Sequence, residues 1–211
     1  MSILNRRGPR ARTGLPRASH VAGDCRYALR APRVDDFSTW RDARIANAAH
    51  LAPAFGKSEL QWAVDSSPEA WLEAIGRFRA ASHARRALPG ILTEVHSGGE
   101  RVVGECSICA MDPVTATGEM SVWSVARPAS LVPWAASTMI LAGFDLLGLD
   151  RVIAPVALAN PGPVRALGRM EWWHAADRLA LREYGGAPHD HGVWVLENTP
   201  AVRRRLEGLA A

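Results

Sequence analysis

Two apolar periods alternate along the chain. Where apolar residues recur every three to four positions a helix is predicted, and where they alternate with polar ones a half-buried strand. Tyr27 to Arg30 alternates as a first strand, and APRVDDFSTWRDARIANAAH then sets Phe37, Trp40, Arg44 and Ile45 at helical spacing. The stretch SPEAWLEAIGRF starts a second helix: Ser67 suits the N-cap, Pro68 the first helical position and Glu69 the first turn, with Trp71, Ile75 and Phe78 on one apolar face. GILTEVHSGGERVVGECSICAM holds two alternating segments around Ser97 to Glu100, a β-hairpin, and GEMSVWSV adds a third strand. PWAASTMILAGFDLLGL predicts about four helical turns ending near Gly148. RVIAPVAL is apolar almost throughout, as a strand in the middle of a sheet is. Asn160 and Pro161 open a short helix, Trp172 and Trp173 start a strand, HGVWVLEN is the last strand, and Thr199 and Pro200 begin a closing helix. The order β, α, α, β, β, β, α, β, α, β, β predicts an α+β domain with a mixed, mostly antiparallel central sheet flanked by helices.

Composition narrows the function classes. With 211 residues and 48% apolar content the chain suits one packed domain. No apolar run reaches a bilayer-spanning length and the N-terminus lacks a secretory apolar core, so no membrane association and a cytoplasmic location are expected. Three cysteines without framework spacing fit a reducing compartment. The net charge of +4 is unevenly placed: residues 1–26 hold six of the 25 basic residues and one of the 21 acidic ones, leaving 19 against 20 for the remainder. Residues 1–26 therefore read as a basic, solvated arm, a candidate contact for RNA or a ribosome, whose removal to residue 22 is expected to leave stability nearly unchanged. Residues 27–198 form the domain and 199–211 the C-terminal helix.

Three stretches carry a resemblance. LRAPRVDDFSTWRDARIANAAHLAPAF includes the turn Asn47…Leu51-x-Pro53; FDLLGLDRVIAPVALANPGPVRALGRMEW joins a helix end, a strand, Asn160 and a short helix; Asp190-His191 stands before the last strand. Together they resemble the GNAT superfamily of acyl-coenzyme A dependent N-acetyltransferases, and within it the Rim-type ribosomal-protein enzymes, over about residues 27 to 198. The resemblance implies a GNAT-like fold, acetyl-CoA as co-substrate, and a primary amine as acceptor, with a protein N-terminus as the candidate. A second copy of the chain is a further candidate partner.

The resemblance also places the site residues. Glu119, at the start of the third meander strand, falls where Rim-type enzymes carry a glutamate and is the candidate base for the acceptor ammonium. A backbone N–H near Val125 is the candidate donor to the thioester carbonyl. Asn160 matches the family asparagine, and Pro163 replaces the serine that follows it. The stretch ARPASLVPWAAS aligns with the family's pyrophosphate loop: Arg127 falls on its Arg/Gln, and Ser130 and Val132 fall on its two small positions, with Leu131 between them. No glycine is present there, and Pro128 offers no N–H. A hydrogen bond to a charged group is worth about 1.5–3 kcal/mol, so one lost donor lowers affinity about tenfold or more. That departure supports an alternative, a catalytically impaired GNAT-fold module that binds partners and takes acetyl-CoA weakly or not at all.

Other constellations read as structural. Cys106 and Cys109 lie three apart, so strand alternation sends them to opposite faces and one ion cannot bind both. His189 and His191 share a strand face but no third ligand is evident, and no metal is expected. Trp40, Trp71 and Trp134 sit on apolar helical faces, whereas Trp123, Trp172 and Trp194 lie on strands that could flank a cleft.

Overall fold

The computed structural model of the chain describes residues 14–211. Its elements run β1 (Ala18–Ala22), β2 (Cys25–Arg30), α1 (Phe37–Ala46), α2 (Ala48–Leu51), a 3-10 turn (Ala52–Phe55), α3 (Glu59–Val64), α4 (Pro68–His83), β3 (Ile91–His96), β4 (Gly99–Asp112), β5 (Thr117–Ser124), α5 (Leu131–Ala142), β6 (Arg151–Ala157), α6 (Pro161–Arg169), β7 (Trp173–Tyr184), β8 (Ala187–Glu197) and α7 (Pro200–Ala210). All eight strands join one sheet in the order β1-β2-β3-β4-β5-β6-β8-β7. Among the described strands only β5 and β6 run parallel. The α+β class and the mixed, mostly antiparallel sheet agree with the sequence reading.

The helix starts form as their sequences dictate. Ser67 Oγ accepts from the Ala70 N–H and Thr199 Oγ1 from the Val202 N–H, each followed by proline at a position where an N–H has no helical partner. Helix α5 continues through one wider turn, Gly143–Leu147, and ends on Gly148 at φ +72°, a left-handed conformation that glycine adopts without a Cβ penalty. Asp190 and His191 lie inside β8 rather than before it.

The sheet separates two apolar clusters. On one face α5 buries Trp134, Met139 and Ile140 against Leu29, Cys106, Ile108 and Val152. On the other, Trp40, Trp62, Trp71 and Ile75 pack on Ile91, Val102 and Trp123. Ile45, placed by spacing on the inner face of α1, is exposed, while Arg44 is buried. The Arg44 guanidinium lies 3.5 Å from the Trp62 ring centroid and 4.6 Å from that of Trp40, and its Nε donates to Ser66 Oγ at 2.9 Å. Two indole faces thus take the place of a carboxylate partner, and burial lowers the Arg44 pKa from its ordinary value.

The first 26 residues are not all an arm. Residues 1–13 lie outside the described residues, but Leu15 is buried in the α5-side cluster and β1 pairs with β2 from Ala18↔Leu29 to Ala22↔Cys25. The expectation of a free arm is therefore corrected for this part of the chain: its half-buried alternation, ASHVA, forms an edge strand despite the surrounding arginines. Arg17 also reaches Glu100, which Arg30 bonds through Nε at 2.6 Å while its other nitrogens hold Asp36. Burial opposes the Glu100 charge, yet the bonds from Arg30 and Arg17 hold its pKa down at about 2. A carboxylate depressed on folding stabilises the native state above its unfolded pKa and loses that contribution as pH falls through the folded one. Thermal melts between pH 4.5 and 2 are therefore expected to show a shallower acid loss for Glu100→Gln than for the parent, and equal slopes would remove Glu100 from acid unfolding.

Candidate functional site

The one parallel pair in the sheet is short. Strands β5 and β6 are in register only from Thr117↔Arg151 to Glu119↔Ile153. Beyond that point β5 stays with β4 as far as Gly104↔Ser124, and β6 stays with β8 as far as Ala157↔His191. Two neighbours held by opposite partners must diverge, and a wedge opens between Met120–Ser124 and Ala154–Ala157. Glu119 marks its narrow end. Asn160 follows its β6 wall, at the N-cap of α6, where its side chain makes no capping bond.

The direction of the β5 amides decides which can serve the wedge. Val125 donates its N–H to Val103 O at 2.8 Å, toward β4 and away from the wedge. The expected role of Val125 is thus corrected. Backbone direction alternates along an antiparallel strand, so the N–H groups of Val122 and Ser124 point to the β6 side and are the donors that face the opening. Sequence alone misses this, because parity depends on the register with β4.

The loop from Val125 to Ser130 then leads into α5. Leu131 donates its N–H to Pro128 O at 3.1 Å, and its side chain is fully buried in the core, so it is corrected from a cofactor contact to a packing residue. Pro133, in the first turn of α5, removes a donor beyond the one Pro128 lacks. Among the described residues no acceptor takes the N–H of Ala129, Ser130 or Val132. Ser130 Oγ lies 3.0 Å from His20 Nε2, and the His20 ring stacks on Trp134 at 5.1 Å. The loop thus keeps amides for an anion at a helix N-terminus while losing donors at two prolines and close approach at Ser130.

Arg127 takes part in a different space. With Val125 and Pro128 it lines a pocket of about 600 Å³ whose other walls include Asp42, Asn47, Glu94 and Arg101. No residue of β6 or α6 lines that pocket, and neither do Glu119, Ser130, Val132 and Asn160. The predicted residues are therefore divided between the wedge, the α5 start and this pocket.

Glu119 has a partner that the sequence did not signal. Arg182, on β7, donates Nη1 to one carboxylate oxygen and Nη2 to the other, both at 2.6 Å. Bonding to Glu119 raises the Arg182 pKa further. Cys109 pairs with Glu119 across β4 and β5 and donates its thiol to the Glu119 carbonyl at 3.5 Å. Burial first, and the Glu119 charge second, push the Cys109 thiol up to about 11. Burial alone pushes Cys106, on the opposite face, up to about 12, so neither thiol is a ready nucleophile. Of the tryptophans placed beside a cleft, Trp123 and Trp172 are buried, and the indole N–H of both, like that of Trp194, has no acceptor among the described residues. No group of three His, Cys, Asp or Glu side chains suited to a metal gathers among them either, and no described helix is long and apolar enough to cross a membrane.

No family model matches the chain, and no curated protein does. Solved structures do. Mycobacterium smegmatis RimJ in complex with CoA-disulfide superposes with a TM-score of 0.76 at 22% identity, covering 93% of this chain and 95% of that one. The ribosomal-protein-S5-alanine acetyltransferase of Vibrio fischeri gives 0.73 at 17%, covering 87% and 98%. Spermidine N-acetyltransferase from Vibrio cholerae, in complex with CoA and spermine, gives 0.65 at 12%, covering 81% and 95%. A single parallel pair that splays beside a helix N-terminus, in a sheet that superposes on all three, gives this chain the fold of the GNAT N-acetyltransferases.

Proposed function

We propose that the protein is an acetyl-CoA dependent N-acetyltransferase acting on a primary amine, with a protein N-terminus as the first candidate acceptor. The observation that carries the reading is the wedge between β5 and β6 with Glu119 at its narrow end. Acetyl-CoA would supply an acyl thioester there. The wedge suits its narrow pantetheine arm, and the amides of Ala129, Ser130 and Val132 at the positive end of α5 suit its pyrophosphate. The N–H groups of Val122 and Ser124 offer hydrogen bonds to an oxygen in the wedge, where developing negative charge is best stabilised by fixed dipoles. Glu119 takes the proton that an ammonium must lose before its nitrogen lone pair is free. In this structure Arg182 bonds both oxygens of that carboxylate. Neither tyrosine, Tyr27 on β2 or Tyr184 on β7, lies on a wall of the wedge, so a leaving thiolate would take its proton from water.

The ribosomal-protein-S5-alanine acetyltransferase favours a protein acceptor, and the spermidine enzyme keeps small polyamines in the test. Cytoplasmic location and an RNA or ribosome contact through the arginines of residues 1–13 belong to the same proposal. The prolines at 128 and 133 and the side chain at Ser130 favour the second reading, a fold retained for binding with weak cofactor affinity.

Titration calorimetry with acetyl-CoA, followed by a thiol-release assay with an alanine-terminated peptide and with spermine, separates the two. Micromolar binding with acceptor-dependent thiol release is expected for the enzyme, and no binding would leave only the second. In the same assay Pro128→Gly with Ser130→Gly restores a donor and removes two obstacles. Affinity for acetyl-CoA is expected to rise by about one to two orders of magnitude. A double variant that binds no better would show that the loop already holds the pyrophosphate.

A further inference from the structure

The hairpin that delivers Arg182 is tied down on the turn that follows α2. Gly185, at its turn, donates its N–H to Pro53 O at 2.9 Å in the 3-10 turn after α2. Glu183 packs so closely on Gly56 that a Cβ there would meet the Glu183 Cβ and carbonyl oxygen at 3.0 Å. Between Arg178↔His191 and Arg182↔His189 strand β7 takes four steps against two on β8, a bulge of two extra residues. Ala180, at φ +45°, sits in it and gives its N–H to Asp190 Oδ1 at 2.9 Å. Bulges bend a strand and re-aim side chains, and this one turns the Arg182 guanidinium onto Glu119.

The two partners differ in their access to water. The Glu119 side chain is only 13% exposed, whereas that of Arg182 is 49% exposed. Arg182 can leave and be hydrated at little cost. Glu119 left alone would be a largely enclosed carboxylate without a counter-charge, which is unfavourable. The exchange therefore closes only if another cation takes the place of the guanidinium.

We propose that Arg182 is a positioning residue which stands on Glu119 where the acceptor's ammonium binds, so that the strap of residues 182–187 opens only to acceptors that arrive as cations. The inference rests on the acetyltransferase reading and sharpens its substrate class: protonated amines are taken, and neutral acceptors such as alcohols cannot displace the guanidinium.

The first measurement is acceptor kinetics with the alanine-terminated peptide and with spermine. Arg182→Gln removes the competitor, and KM for both is expected to fall roughly tenfold, by more than any change in kcat, since one charge-assisted pair no longer has to be broken. Arg182→Lys, which keeps a cation but not the fork, is expected to fall between the two. An unchanged or higher KM in Arg182→Gln overturns the proposal. The second measurement needs no turnover. Hydrogen exchange at the Gly185 amide is expected to be faster in Arg182→Gln than in the parent, and spermine is expected to accelerate it in the parent but not in the variant. Equal exchange in the two proteins overturns the proposal whatever the kinetics. If neither acceptor releases thiol with any of the proteins, the acetyltransferase reading fails and the exchange experiment alone judges the strap.

Discussion

Truncation to residue 22 is expected to lower the melting temperature by roughly 5–10 °C relative to a chain that begins at residue 14. The loss comes from four contacts made by a stretch of nine residues. Leu15 leaves the α5-side cluster, where full burial of a leucine is worth about 1.5–3 kcal/mol. The ladder from Ala18↔Leu29 to Ala22↔Cys25 disappears, and β2 becomes the sheet edge. Arg17 leaves Glu100, and the His20 ring leaves the face of Trp134. Part of this is offset because nine residues no longer need ordering. The net effect is set at about 2–3 kcal/mol, with each kcal/mol shifting a domain of this size by roughly 2–4 °C. Differential scanning calorimetry of the two truncated chains decides the matter. Equal midpoints would show that β1 adds nothing and would restore the reading of the whole segment as an arm.

That segment shows how the sequence could mislead. Its arginines dominate any window average, and the strand inside it is five residues of half-buried alternation at a sheet edge, where only one side needs to be apolar. Elements with strong local chemistry were legible: the Ser67 and Thr199 caps, the β3–β4–β5 meander and the Gly148 stop each rest on interactions within a few residues. One further local signal is in the sequence. Ser58 and Gln61 form a capping box in which each side chain bonds the other's backbone N–H, and they start α3, which no periodicity suggested.

Glu119, Asn160 and the α5 start were placed by resemblance, and the structure sets them along the wedge and the loop that leads from it. What stayed hidden depends on pairing. Whether the Val125 amide faces β4 or the wedge turns on a one-residue register, and a slip by one reverses every amide and side chain. The Arg182 contact depends on a two-residue bulge between strands, and neither Ala180 nor Asp190 announces it in sequence. Pro133 was legible in principle. As the third residue of α5 it removes an N–H by the same logic that singled out Pro128, once the start of the helix is known.

Glu119→Gln is expected to reduce turnover by about 10² or more while leaving acetyl-CoA affinity within about twofold, as loss of a general base does. The amide keeps the size of the side chain and removes its basicity. It also removes one side of the bidentate pair, because its NH2 group cannot accept from Arg182. Two effects are thereby superposed, and they move different constants. Loss of the base lowers kcat. Loss of the carboxylate's attraction for a cation raises KM for the acceptor, whereas release of Arg182 alone, as in Arg182→Gln, lowers it. A purely structural Glu119, needed only to hold the hairpin, would instead give Glu119→Gln and Arg182→Gln the same kinetic signature, since either substitution breaks the same pair. Steady-state kinetics of the two single variants and the double variant therefore assign the roles. If the two singles match each other and the double adds nothing, Glu119 is a strap residue and proton removal must be sought elsewhere in the wedge. If Glu119→Gln alone collapses kcat and Arg182→Gln does not, the carboxylate is the base and the guanidinium is its displaceable partner.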